Sequence, residues 1–249
     1  MNRIEKIKIK YSIIFPTLFV ALLWGIWLVM DALEMDPAPL GMSPRTLSGL
    51  IGILTSPLMH DPTDLDHLIS NSFPLLVLGG CTYYFYRRVA FKVFFLIYAL
   101  HGILLWLMGR PLIHIGASGL VYGLTCFLFF AGILRKDRTS VAVAMLVTFL
   151  YGSMMWGIFP LPNHVSWEAH LFGSVIGSLC AFLYWNVDLP PEPEWMHEEE
   201  EDDDDHPYPP GDPMHHPPTT HLHAPPLHVT YRIVPGSQKE GSHPQKSDE

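Results

Sequence analysis

Long apolar stretches alternate along this chain with short polar intervals, six times over, before the pattern stops. An α-helix needs about 20 residues to cross roughly 30 Å of hydrocarbon. Stretches of about that length run over residues 12–30, 67–86, 90–108, 116–134, 139–159 and 168–186. Their apolar residues are continuous rather than alternating in strand-length runs, which predicts helices and not the wall of a β-barrel. The expected fold is an all-α membrane protein, a bundle of six transmembrane helices over residues 1–186. The loops near Arg87, Arg110, Arg135 and Pro160 are short, so successive helices should pack as antiparallel neighbours. The interval from Asp31 to Asp66 is longer and holds Pro37, Pro39, Pro44, Pro57 and Pro62. Its apolar middle, Leu47 to Leu58, is expected to lie in the membrane interface.

Charge adds an orientation. With the N-terminus inside, Arg3, Lys6, Lys8, Lys10, Arg87, Arg88, Lys92, Arg135, Lys136 and Arg138 all fall in the cytoplasm, and only Arg45 and Arg110 fall outside. That asymmetry follows the positive-inside rule and predicts two cytoplasmic termini. The first stretch follows a basic segment, as a secretory signal does. It is too long for one, and no small-residue cleavage site follows Val29-Met30-Asp31, so a retained span is expected.

Composition changes after Trp185. Residues 1–186 carry 12 lysines and arginines against 9 aspartates and glutamates, whereas residues 187–249 carry 3 against 15, including the unbroken run Glu198–Asp205. Such a segment buries too little apolar area to offset its ordering entropy, so residues 187–249 are expected to form a disordered, acidic, Pro/His-rich cytoplasmic tail. Its eight histidines match no closed coordination spacing. No metal, cofactor or nucleic acid is expected of the chain, and the tail's partners are not legible. Cys81, Cys126 and Cys180 all fall inside apolar stretches and read as small core residues rather than disulfide partners.

A few polar residues interrupt the apolar stretches, and these carry the candidate chemistry. Ser118 stands in Gly116-Ala117-Ser118-Gly119 at the start of the fourth stretch, and His170 opens the sixth. Serine is a poor nucleophile until a base takes its proton, and histidine suits that role. Gly116 and Gly119 around the serine, and Ala169, Gly173 and Gly177 on the histidine helix, provide small residues that let two membrane helices approach closely. Tyr122, one turn beyond Ser118, should share its face and pack on the imidazole. Glu168 is on a different face from His170, and Asp66 only precedes His67. A Ser-His dyad without a carboxylate is therefore expected. His67 and Asn71, four residues apart, present neighbouring polar side chains which, with the Ser118 N–H, suit an oxyanion. His101 and His114 read as interhelical hydrogen-bonding residues, and the polar cluster should face a hydrated cavity.

Taken jointly, Gly116-Ala117-Ser118-Gly119 with Tyr122, Ala169-His170 with Gly173 and Gly177, and His67-Leu68-Ile69-Ser70-Asn71 followed by Gly79-Gly80 resemble the rhomboid intramembrane serine proteases. The resemblance implies Ser118 as nucleophile, His170 as general base and then acid, and His67 and Asn71 as oxyanion donors. It implies an acyl-enzyme intermediate and substrates that are single-span membrane proteins, cut near the outer membrane face where the helix is weak. It also implies that the fifth helix with the loop Phe159 to Trp167 gates and caps the site, and that the protein resides in a bacterial inner membrane. Two positions depart from the family's pattern. Pro62 stands where many relatives have a histidine, with His60 seven residues before His67, and Tyr83-Tyr84 stand where many have a glutamate. Two other readings compete: a catalytically silent rhomboid-like protein that binds membrane clients, and a small transporter whose histidines relay protons or metal. The near absence of carboxylates in the apolar stretches disfavours the second.

Overall fold

The computed structural model describes residues 3–160 and 166–189. Most of the predicted tail and residues 161–165 of the predicted capping loop lie outside them. Among the described residues seven α-helices follow one another: α1 (Arg3–Ala32), the single turn α2 (Gly52–Thr55), α3 (Leu65–Phe85), α4 (Ala90–Met108), α5 (Ser118–Arg135), α6 (Arg138–Tyr151) and α7 (Trp167–Tyr184). Among the described residues there is no strand, only the isolated antiparallel bridge Met42–His114. Four helices are long and apolar enough to cross a membrane: Glu5–Ala32, Ala90–Met108, Ser118–Arg135 and Arg138–Ile158. The protein is an integral membrane protein. The helices α3 and α7 are comparable in length, 21 and 18 residues. They are less apolar because they carry His67, Ser70, Asn71 and Ser72, and Glu168, His170, Ser174 and Ser178 respectively.

Helix α5 is the axis of the bundle. It is apolar on all sides, as a helix surrounded by others must be, and packs against α3, α4, α6 and α7. By contrast α1 and α6 are mostly exposed, with side chains such as Leu18 and Phe149 directed outward. The closest contact joins α5 and α7. A Cβ added at Gly173 would overlap the Gly119 carbonyl, and one at Gly177 the Gly123 carbonyl. Backbone lies on backbone, which only small residues permit.

Helix α1 begins nine residues before the apolar stretch, because its charged first turns also pack: Tyr84 donates to Glu5 Oε1 at 2.5 Å. Pro16 has no N–H for the Ser12 carbonyl. Gly79 and Gly80 bring α3 against this segment, with a Cβ at Gly80 falling 3.3 Å from the Ser12 carbonyl oxygen. Tyr83 faces inward, its ring 4.7 Å from Phe15 and 4.8 Å from Phe91.

The long connection is folded onto the C-terminal half of α4. Arg45 donates to the Gly109 carbonyl at 2.7 Å, Trp106 Nε1 to the Thr46 carbonyl at 2.9 Å, and Tyr98 to the Leu54 carbonyl at 2.5 Å. Leu47, Leu50, Ile51 and Leu54 remain exposed, giving the middle of this connection the apolar surface that its sequence predicts. At the opposite end Arg135 gathers four elements. It donates to the Phe85 and Asp188 carbonyls, pairs with Asp137, and lies 4.7 Å over the Tyr86 ring. Asp188 also pairs with Arg88 at 3.4 Å, so packing continues two residues past the predicted domain end at 186.

Candidate active site

Ser118 is the first residue of α5, and its N-cap Ala117 offers no side-chain acceptor to the first amides. Those amides lack intrahelical acceptors and carry the positive end of the helix dipole. From α7, His170 reaches across the glycine contact and places Nε2 2.8 Å from Ser118 Oγ. Nδ1 lies 3.0 Å from the Gly157 carbonyl oxygen. A carbonyl only accepts, so the Nδ1 position carries the proton and the Nε2 lone pair is left for the serine hydroxyl. Tyr122 stacks on the imidazole with centroids 4.1 Å apart and planes within 6°. Its hydroxyl donates to the Met154 carbonyl at 2.6 Å. Both rings are thus held by the 3₁₀ segment Gly152–Ile158 that continues α6.

His67 lies against the backbone just ahead of the serine. A Cβ at Gly116 would fall 2.5 Å from His67 Cε1 and 2.7 Å from Nε2, and Gly116 has φ +105°. Both the space and the dihedral require glycine. Asn71 Nδ2 lies 3.0 Å from the His67 carbonyl oxygen and 3.2 Å from His60 Nε2. Both amide hydrogens are therefore engaged, and donation to any third group needs one of these bonds released.

These residues open into a cavity of about 580 Å³, lined by Asp61, Asp64, His67, Asn71, Arg110, His114, Ser118, Tyr122, Ser166 and His170 among others. Its polar wall admits the water that an apolar bundle otherwise excludes. Glu168, only 3% exposed, forms a bidentate pair with Arg110 and not a bond to His170. Arg110 in turn packs on the Trp167 ring at 5.7 Å. His114 links the same wall to α7 through Ser166 at 2.7 Å, and burial holds its pKa below the ordinary value.

A model of the Rhomboid domain matches residues 48–187, more than half of the chain. The chain belongs to the rhomboid family. An uncharacterized protein of Mycobacterium tuberculosis is 33% identical over 182 residues, covering 66% of this chain and 72% of the relative, and one from Mycobacterium bovis matches to the same extent. An uncharacterized protein of Mycobacterium leprae is 29% identical over 174 residues, covering 66% and 68%.

Within this rhomboid domain, Ser118, His170, Tyr122, His67 and Asn71 share one cavity wall, and Gly116 and Gly173 make the close approaches that seat them. His101 is buried and bonds the Ile97 carbonyl at 2.7 Å, away from that wall. His60, seven residues before His67 where the family's pattern has a histidine about five before, is brought in by the connection, its ring 5.1 Å from His67. Burial, with the neighbouring His67 charge, pushes its pKa down to about 4. The Gly157 and Met154 carbonyls left no trace in the sequence, because backbone acceptors occur at every residue. Tyr83-Tyr84 fasten α1 to α3, while Arg45, Trp106 and the Met42–His114 bridge hold the long connection.

Proposed function

We propose that this rhomboid protein is an intramembrane serine endopeptidase that cuts transmembrane segments of other membrane proteins near the outer face of the membrane. The observation that carries the reading is the 2.8 Å contact between Ser118 Oγ and a His170 Nε2 whose lone pair faces it. Rhomboid proteins are typically serine intramembrane proteases, which supports the same reading.

In this mechanism His170 Nε2 takes the hydroxyl proton as Ser118 Oγ bonds to the scissile carbonyl carbon. The displaced π electrons collect on oxygen, facing the Ser118 N–H, His67 and Asn71. Asn71 supplies its donor by giving up the longer of its two bonds, that to His60. The imidazolium then passes its proton to the amide nitrogen as the C–N bond breaks, leaving an acyl ester on Ser118. A water from the cavity, deprotonated by His170, attacks the ester, and His170 returns that proton to Ser118 Oγ as the C–O bond breaks and the acid leaves. Gly116, Tyr122 and Gly173 support the dyad by packing.

Residues 1–186 form the membrane domain in this proposal, with α3 and α7 completing six spans. Both termini lie in the cytoplasm of a bacterial cell, and the site faces the outside of the inner membrane. Helix α6 and the loop after it gate entry. Asn71's engagement by His60 favours a second reading, a silent client-binding member, because it leaves one oxyanion donor occupied at rest. Co-reconstitution with a single-span protein whose outer helix end carries small, helix-breaking residues separates the two. Cleavage by the native protein, lost in Ser118→Ala and in His170→Ala, is the expected result. Equal cleavage by both variants refutes the proposal.

A further inference from the structure

A neutral imidazole can serve as a base only if the correct nitrogen is bare, and a dyad has no carboxylate to enforce that. We infer that the 3₁₀ segment Gly152–Ile158 is the orienting element of the dyad, holding the His170 ring and its Tyr122 platform through the Gly157 and Met154 carbonyls, so that displacement of α6 disarms the base. The consequence for catalysis rests on the protease reading; the positioning itself does not.

Two independent bonds from one segment reach two stacked rings: His170 Nδ1 with the Gly157 oxygen at 3.0 Å, and the Tyr122 hydroxyl with the Met154 oxygen at 2.6 Å. The segment fits tightly only there. A Cβ at Gly157 would strike the Tyr122 hydroxyl and come within 3.2 Å of His170 Nδ1. Other side chains of the segment face outward, with Trp156 72% exposed and Met155 also exposed. Helix α6, which leads into it, packs chiefly on α5 and turns Met145 and Phe149 to the exterior. The least enclosed span of the bundle therefore carries the two acceptors that the buried rings depend on. The Gly157 bond also strengthens when His170 gains a proton, since a charged donor binds a carbonyl more tightly than a neutral one. Gly157 and Met154 are thus positioning residues acting through their backbones.

The test is ¹⁵N NMR of the full-length protein labelled in its histidine rings, with His170 assigned by its absence from His170→Ala. The expected wild-type signature is the Nδ1–H tautomer, giving way to averaged ring shifts in Gly157→Ala while the His101 signals stay fixed. An Nε2–H tautomer in the wild type, or an unchanged Nδ1–H signature in Gly157→Ala, overturns the inference. Tyr122→Phe keeps the stack and loses only the Met154 bond. Its maximal rate of labelling by a fluorophosphonate serine probe should fall about 2- to 10-fold, as for one ordinary hydrogen bond, with unchanged half-saturation. A wild-type maximal rate in that variant counts against the inference. If the wild type is not labelled at all, the protease reading fails, and the tautomer measurement still decides the positioning.

Discussion

Replacing Gly173 by alanine perturbs the site without touching either member of the dyad. The new Cβ would overlap the Gly119 carbonyl oxygen and fall 2.8 Å from its carbon, whereas ordinary contact begins at 3.4 Å. Neither partner is a side chain that can swing aside, so α7 must retreat from α5 by about 1 Å near this turn, in line with the strain of overpacked interiors. His170 lies one turn earlier on the same face and moves with it. The 2.8 Å contact to Ser118 then opens to roughly 3.8 Å, beyond the ~3.2 Å reach of a hydrogen-bonded base. A misplacement of that size costs about 10²-fold in rate, alongside about 1–3 kcal/mol in stability. Gly177→Ala makes the equivalent overlap with the Gly123 carbonyl about one turn deeper. It should cost similar stability but less activity. Fluorophosphonate labelling rates, with thermal unfolding in detergent, read both quantities. Native labelling rates in a folded Gly173→Ala protein would refute the argument that this backbone contact sets the dyad distance.

Other expectations can be checked in the same preparation. Asn71→Ala should lower cleavage by about 10² to 10³, because the remaining oxyanion donors persist; a native rate would remove Asn71 from the site. Gly116→Ala forces a side chain onto the His67 ring at a positive φ, and should abolish labelling while leaving helical circular dichroism intact. Arg135→Ala removes a cation shared by the ends of α3, α5, α6 and the residues after α7. It should cost about 1–3 kcal/mol in unfolding, since it leaves partly buried acceptors unpaired, and a change within error would show the cluster to be dispensable. His60 takes up a proton near 6.5 when unfolded but only near about 4 when folded. Stability is therefore constant above about pH 6.5 and falls toward pH 4 by about 3 kcal/mol through this group. Acid unfolding should be shallower in His60→Gln, and identical profiles would contradict the assignment.

The continuous apolar runs made the helices legible: 90–108 coincides with α4, and 116–134 differs from α5 by two residues at the start and one at the end. They failed where helices do not end on apolarity. Helix α1 starts early because Glu5 finds Tyr84, and α6 tightens into a 3₁₀ segment from Gly152 onward. In the candidate site, Ser118, His170 and Tyr122 were legible because polar groups inside an apolar bundle are costly and so conspicuous. The stack and the hydrogen bond then follow from small residues at helical spacing. Gly123 escaped notice because its partner Gly177 is 54 positions away. The Arg110–Glu168 pair was equally hidden, since each residue alone reads as a loop charge. His60 depended on the path of a long connection that no periodicity describes.

The central claim is that Ser118 is an activated nucleophile, and covalent trapping tests it most directly. The full-length protein in lipid is treated with a fluorophosphonate and the adduct mapped by mass spectrometry. The account predicts one adduct, on Ser118, absent from His170→Ala. An unmodified Ser118 in folded protein, or equal modification in His170→Ala, would contradict it.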